Sequence, residues 1–161
     1  MKKHIRLIST DDDNVNKIGF FDLCLVYASR VDFKTSLYRN SCRIDPNPFV
    51  PTTGEKWHTA YVRISADEYL WEVYQSPKHG KVLLLRNRNG GLEIASYGTT
   101  KASGSYIEIH VASGGINPEW AGSMGCITLP KPFFKSFIAL FNDKEQGTLT
   151  VVRPIKTVAQ K

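Results

Sequence analysis

Apolar and polar residues alternate along much of the chain with the period of two that a pleated strand imposes, and Gly, Pro, Asn and Asp interrupt the alternation at intervals. The pattern predicts strands over about 4–9, 20–28, 60–64, 69–75, 81–87, 92–97, 105–111, 126–129 and 147–153. One stretch departs from it. In "PKPFFKSFIALFNDKEQG" the residues Phe133, Phe134, Phe137, Ile138 and Phe141 recur at three- and four-residue intervals, so one face of a helix over about 131–143 is apolar. Pro132 suits its first turn and Gly147 lies past its end. Such an aromatic stripe points to packing on a sheet rather than to a cofactor. Asn89-Gly90 in "RNRNGGLEI" predicts a hairpin turn, and the prolines of "PNPFVPTTGEKW" (46–57) predict a surface connection. The expected fold is mainly β, a mixed or antiparallel sheet sandwich carrying one packed helix, without internal repeats.

At 161 residues, with 42% hydrophobic and 22% charged, the chain can bury one substantial core but hardly two. A single domain is therefore expected, with residues 1–45 as its N-terminal β-rich portion and 46–161 as the portion that carries the chemistry. The net charge of +6 favours an anionic partner such as a cell-wall polymer, an acidic lipid surface or nucleic acid. The cations are scattered, however, and "SPKHGKVLLLRNRNGG" lacks the interleaved aromatics of a stacking platform, so a nucleic-acid partner is not expected. No glycine-rich phosphate loop appears, which argues against nucleotide use.

Cys24, Cys42 and Cys126 cannot all pair, and no CxxC spacing suggests a metal or redox site. Cys24 lies in the apolar run "FFDLCLVYA" and reads as a small buried hydrophobe, whereas Cys42 lies in the turn-rich "NSCRIDPNP". His58 and His79 lack ligand spacing and are expected in loops, with one of them a minor candidate for lining a substrate groove. Neither a metal nor a cofactor is expected. The first residues do not form a secretory leader, and no apolar run reaches the roughly eighteen residues of a membrane-spanning helix.

The candidate chemistry lies in "IHVASGGINPEWAGSMGCITLP" (109–130), where His110 precedes Cys126 by sixteen positions of glycine-rich sequence. Alternation in "SYIEIHV" puts Ile107, Ile109 and Val111 on one face and Tyr106, Glu108 and His110 on the other. Glycines allow the connection to fold back, so that Cys126 returns beside His110. An imidazole beside a thiol can take its proton, and the thiolate then attacks a carbonyl. The glycines of "GSMGC" allow the amides of Gly125 and Cys126 to point at the developing oxyanion, and Ser123 can add a hydroxyl. The plainer alternative is a hairpin in which Cys126 is a buried thiol and His110 a surface residue. Trp120 could stack on a substrate or anchor the loop; Glu108 and Tyr106 could tune the imidazole, contact substrate or simply be solvated.

The run from His110 to Leu129 resembles the signature of the L,D-transpeptidase (YkuD-like) catalytic domain family, with its histidine, glycine-bearing loop and Ser-x-Gly-Cys tetrad at 123–126. The resemblance covers about twenty residues. It implies that Cys126 is the acyl-accepting nucleophile, His110 the base, Gly125 and Cys126 the oxyanion amides, and a carbonyl of Ser113 or Gly114 the group that orients the histidine. It also implies a peptidoglycan stem peptide as substrate, attacked after its dibasic L-centre, and no cofactor. Many members carry histidine at the position of Met124, arginine at that of Thr128 and glycine at that of Val111. Since the arginine helps to hold the substrate carboxylate, its replacement shifts the expectation towards hydrolysis or exchange rather than cross-linking. The loose surroundings are more similar to phage-type wall enzymes and to toxic effectors. On that expectation the protein acts at the periplasm or cell wall after non-classical delivery, with an immunity or carrier protein as a further partner. The alternative is a non-catalytic module that uses the same groove to bind a wall peptide or a protein.

Overall fold

Period-two alternation resolves into paired strands in the computed structural model, which describes residues 2–10, 22–31, 33–44, 62–96, 103–112 and 125–154. Strands β1 (His4–Ile8), β2 (Asp22–Tyr27) and β3 (Ser36–Cys42) are followed by β4 (Glu68–Ser76) and β5 (Gly80–Arg86). Then come β6 (Ile94–Ala95), β7 (Ser103–Gly104), β8 (Glu108–Val111), β9 (Ile127–Leu129), helix α1 (Lys131–Ile138) and β10 (Gln146–Val152). Eight strands join in one mixed sheet in the order β3-β2-β1-β10-β4-β5-β8-β9, and β6 and β7 form a separate ribbon. The β1–β10 and β8–β9 pairs are parallel; the others are antiparallel.

The sheet curls until its two ends meet. Beyond β3, the Arg43 N–H donates to the Thr128 carbonyl at 2.8 Å and the Thr128 N–H donates to the Arg43 carbonyl at 3.0 Å, so β9 bridges back to the first edge. The described residues are thus mainly β, with one large, nearly closed mixed sheet and one helix. The same sheet contains β1, β2 and β3 from the N-terminal portion.

One face of the sheet is the core. Register places Ile5 opposite Leu149, Leu7 opposite Val151, Trp71 opposite Leu85 and Ile109 opposite both Leu83 and Ile127, and all of these side chains are buried. Helix α1 packs on this face through Phe137, which meets Tyr38 edge-on at 5.5 Å and Phe141 at 5.0 Å, while Phe141 meets Trp71 at 4.9 Å. The Tyr38 hydroxyl also donates to the Phe133 carbonyl at 2.7 Å, fixing the helix to β3. Burial of one such ring contributes about 1.5–3 kcal/mol. The helix is shorter than its periodicity predicts: it ends at Ile138, and Phe141 contributes to the core from beyond its last turn.

Three local expectations changed. β3 was hidden by "RNSC", whose Asn and Ser resemble a turn. In the expected strand over 60–64, the described residues form only an isolated bridge between Ile64 and Ser96. The Asn89-Gly90 turn forms, with Gly90 at φ 88° donating to the Asn87 carbonyl at 2.9 Å, but β6 pairs with β7 instead of returning along β5. The tight hairpin of this region is β4–β5, which closes at Gly80 with φ 73°.

Candidate active site

Strand β9 runs parallel to β8, with Ile109 opposite Ile127, His110 opposite Thr128 and Val111 opposite Leu129. A parallel return requires a connection of a dozen or more residues, and the sequence between the two strands has that length. Alternation assigns Ile109 and Ile127 to the core face and Glu108, His110 and Thr128 to the other. Cys126, immediately before β9, lies level with Glu108. The Glu108 N–H donates to its sulfur at 3.3 Å, and the thiol donates to the Tyr106 carbonyl at 3.7 Å. Tyr106 holds an uncommon φ of 55° with its side chain exposed.

His110 is buried, and its Nδ1 lies 2.6 Å from the Val111 carbonyl oxygen. A carbonyl only accepts, so Nδ1 carries the proton and Nε2 of the neutral ring is left with the lone pair of a base. Over His110 lies His79, with ring centroids 3.9 Å apart and planes within 7° of parallel. His79 belongs to the β4–β5 turn, where its N–H and that of Lys78 donate to the Ser76 hydroxyl at 3.2 and 3.3 Å. Ser76 is itself buried, and its hydroxyl acts on the Glu108 carboxyl. The site therefore draws on β4, β5, β8 and the start of β9.

Electrostatics set its resting state. Burial pushes the Cys126 thiol up to about 11; the Glu108 N–H opposes this, the Glu108 carboxylate adds to it, and the Lys78 ammonium opposes it. Burial likewise brings His110 down to about 4, against the Val111 hydrogen bond and with help from His79 and Lys78. Burial raises Glu108 above the usual carboxylate range, and the Ser76 hydrogen bond opposes that rise. Thiol and imidazole are thus both neutral at pH 7, whereas sequence reasoning anticipated proton transfer between them.

No protein-family model, curated protein or solved structure matches this chain.

Of the residues singled out from sequence, Cys126, His110, Glu108, Tyr106, Gly125 and Thr128 meet in this region. Ser113, Gly114, Trp120, Ser123 and Met124 lie outside the described residues, as does His58. Gly125 is packed tightly, because a Cβ there would stand 3.1 Å from both Val62 and Ile107. Thr128 is fully buried, with Arg43 directly opposite it on the closing bridge. Sequence reasoning missed Ser76, Lys78 and Arg43 altogether and treated His79 as a loop histidine; the only available signal was the Gly80 turn that brings His79 towards β8. Among the described residues no cluster of His, Cys, Asp and Glu is arranged to hold a metal ion, and no helix is long and apolar enough to cross a membrane.

Proposed function

We propose that the protein is a cysteine-dependent acyl transferase of the L,D-transpeptidase type, acting on the stem peptides of bacterial peptidoglycan. The observation that carries this reading is the parallel β8–β9 register. It brings the Cys126 sulfur against β8 two positions from His110, whose Nδ1 is committed to a carbonyl and whose Nε2 is a base. As sulfur attacks the peptide carbonyl carbon, its proton passes to Nε2. The C–N bond then breaks, the leaving amine takes that proton and the acyl group remains as a thioester on Cys126. Water or an amine attacks the thioester, transferring a proton to His110, and this proton returns to sulfur as the C–S bond breaks.

The amides of Gly125 and Cys126, with Ser123, are assigned to the oxyanion. The finer architecture, a sandwich of the L,D-transpeptidase type, is part of the same proposal. So is a role as a phage-type wall enzyme or delivered effector with an immunity or carrier partner. With Thr128 at the position where the family has arginine, hydrolysis or exchange is favoured over cross-linking.

Mass spectrometry of purified muropeptides after incubation tests the assignment. The wild type is expected to trim or exchange the terminal residue of the stem, and Cys126→Ala to give no product while keeping the wild-type circular dichroism and Tm. Undiminished turnover by Cys126→Ala would remove the mechanism. The neutral resting pair also favours one second reading, a wall-peptide binding module, for which the wild type would bind muropeptides and release no product.

A further inference from the structure

We propose that His79 is a positioning residue for the His110 base: its ring, stacked face to face on that imidazole, fixes the plane in which Nδ1 donates to the Val111 carbonyl and Nε2 is left to accept a proton. The use made of that base rests on the acyl-transfer reading; the placement of the ring does not.

One hydrogen bond at Nδ1 sets the direction of a ring but leaves rotation about that bond. A second flat ring 3.9 Å away and nearly parallel removes this freedom. His79 is itself held in two ways. Its N–H is tied to the Ser76 hydroxyl at 3.2 Å, at the end of β4. Gly80, with φ 73°, closes the turn directly after it. The turn that carries the stacking ring leads directly into β5, which pairs with the strand that carries the base.

The stack also has an electrostatic consequence. Lys78 on the turn acts on both rings, and the other titratable groups of the site, Glu108 on β8 and Cys126 before β9, lie level with each other two positions along that strand. Burial and the Lys78 cation hold His79 below the ordinary histidine range, so it is neutral at pH 7 and leaves His110 able to receive a proton. Once His79 is protonated, a second positive charge on the ring beneath it is opposed, and the two imidazoles titrate as one coupled unit.

Long-range imidazole 1H–15N spectra of the 161-residue chain between about pH 3.5 and 8.5 test this without any substrate. The wild type is expected to show His110 as the Nδ1–H tautomer. His79→Phe keeps a flat ring without a charge; it should preserve that tautomer while raising the proton affinity of His110 about threefold or more, half a pH unit. His79→Ala should raise the affinity as well and mix the two tautomers. Unchanged His110 midpoints in both variants would overturn the proposal, as would equal loss of the tautomer in the Phe and Ala variants. These spectra are independent of turnover. A wild type that gives them and converts no muropeptide counts against the acyl-transfer reading alone, whereas turnover with unaltered variant spectra counts against the role of His79 alone.

Discussion

Cys126 and His110 both lose water on folding, and because desolvation disfavours the charged form of each, their acidities move apart rather than together. The thiolate–imidazolium pair is therefore scarcely populated at rest, and on the proposed acyl-transfer reading the proton moves as sulfur attacks the carbonyl. Alkylation by iodoacetamide across a pH series should rise with a midpoint near 11, and at pH 7 it should be slower than that of a free thiol with a pKa of about 8.5. A midpoint at or below that of the free thiol would contradict the neutral pair. Glu108→Gln removes the carboxylate that raises the thiol, so its alkylation midpoint should move down; an upward move would show that the carboxylate acts in the opposite sense. The spacing of His110 and Cys126 made the return of the chain beside β8 legible in the sequence, because a glycine-rich connection can bring two segments back to adjacent strands. His79 was not legible. Its partner is thirty-one positions away, on a strand that pairs with the far side of its own hairpin, and no periodicity records a stack.

Elements with a clear pattern of their own followed the sequence, and β3, which lacks one, did not. The α1 stripe needed only its own spacing, and β4 and β5 needed only alternation and a glycine turn. β3 has weak strand character of its own, with Leu37 and Arg39 exposed, and is stabilised by its ladder with β2 and by the Arg43–Thr128 bridge just beyond its end. The stripe makes a quantitative demand. Phe137 is fully buried between Tyr38 and Phe141, so Phe137→Ala should cost about 3–5 kcal/mol, measured as a lowered urea midpoint. A loss below about 1 kcal/mol would mean that the helix is not seated on the core. On β10, Gly147 lies against the Trp71 indole and the Lys3 carbonyl, where an added methyl would collide with both. Gly147→Ala should destabilise by about 1–3 kcal/mol in the same measurement, and a neutral result would show that Trp71 can move aside.

At the scale of the whole molecule, the middle of the sheet joins strands from both ends of the described chain, β1 lying parallel to β10, and β1 and β8 each bury a histidine. His4 on β1 is held by two hydroxyls of β10, with Nδ1 at 2.7 Å from Thr148 Oγ1 and Nε2 at 3.0 Å from Thr150 Oγ1. Burial, with Arg30 and Arg6 nearby, brings its pKa to about 4, the same as that of His110 on β8. Both therefore bind a proton more weakly in the folded chain than in the unfolded one, where histidine titrates near 6.5. A depressed histidine contributes stability that is present above the unfolded value and is lost as the pH falls towards the folded one, so the window runs from about 6.5 down to about 4. Glu108 acts with the opposite sign, because its raised affinity for a proton favours the folded state on acidification, and Glu145, lowered by Lys3 against its burial, loses stability in the carboxylate range. Urea midpoints should accordingly fall between pH 6.5 and 4, with a slope of at most about 1.4 kcal/mol per pH unit for each histidine. His4→Gln can keep a donor and an acceptor between the two threonines but cannot titrate, so its curve should be flatter by up to one proton. An equally steep curve in that variant would place the acid sensitivity elsewhere in the sheet.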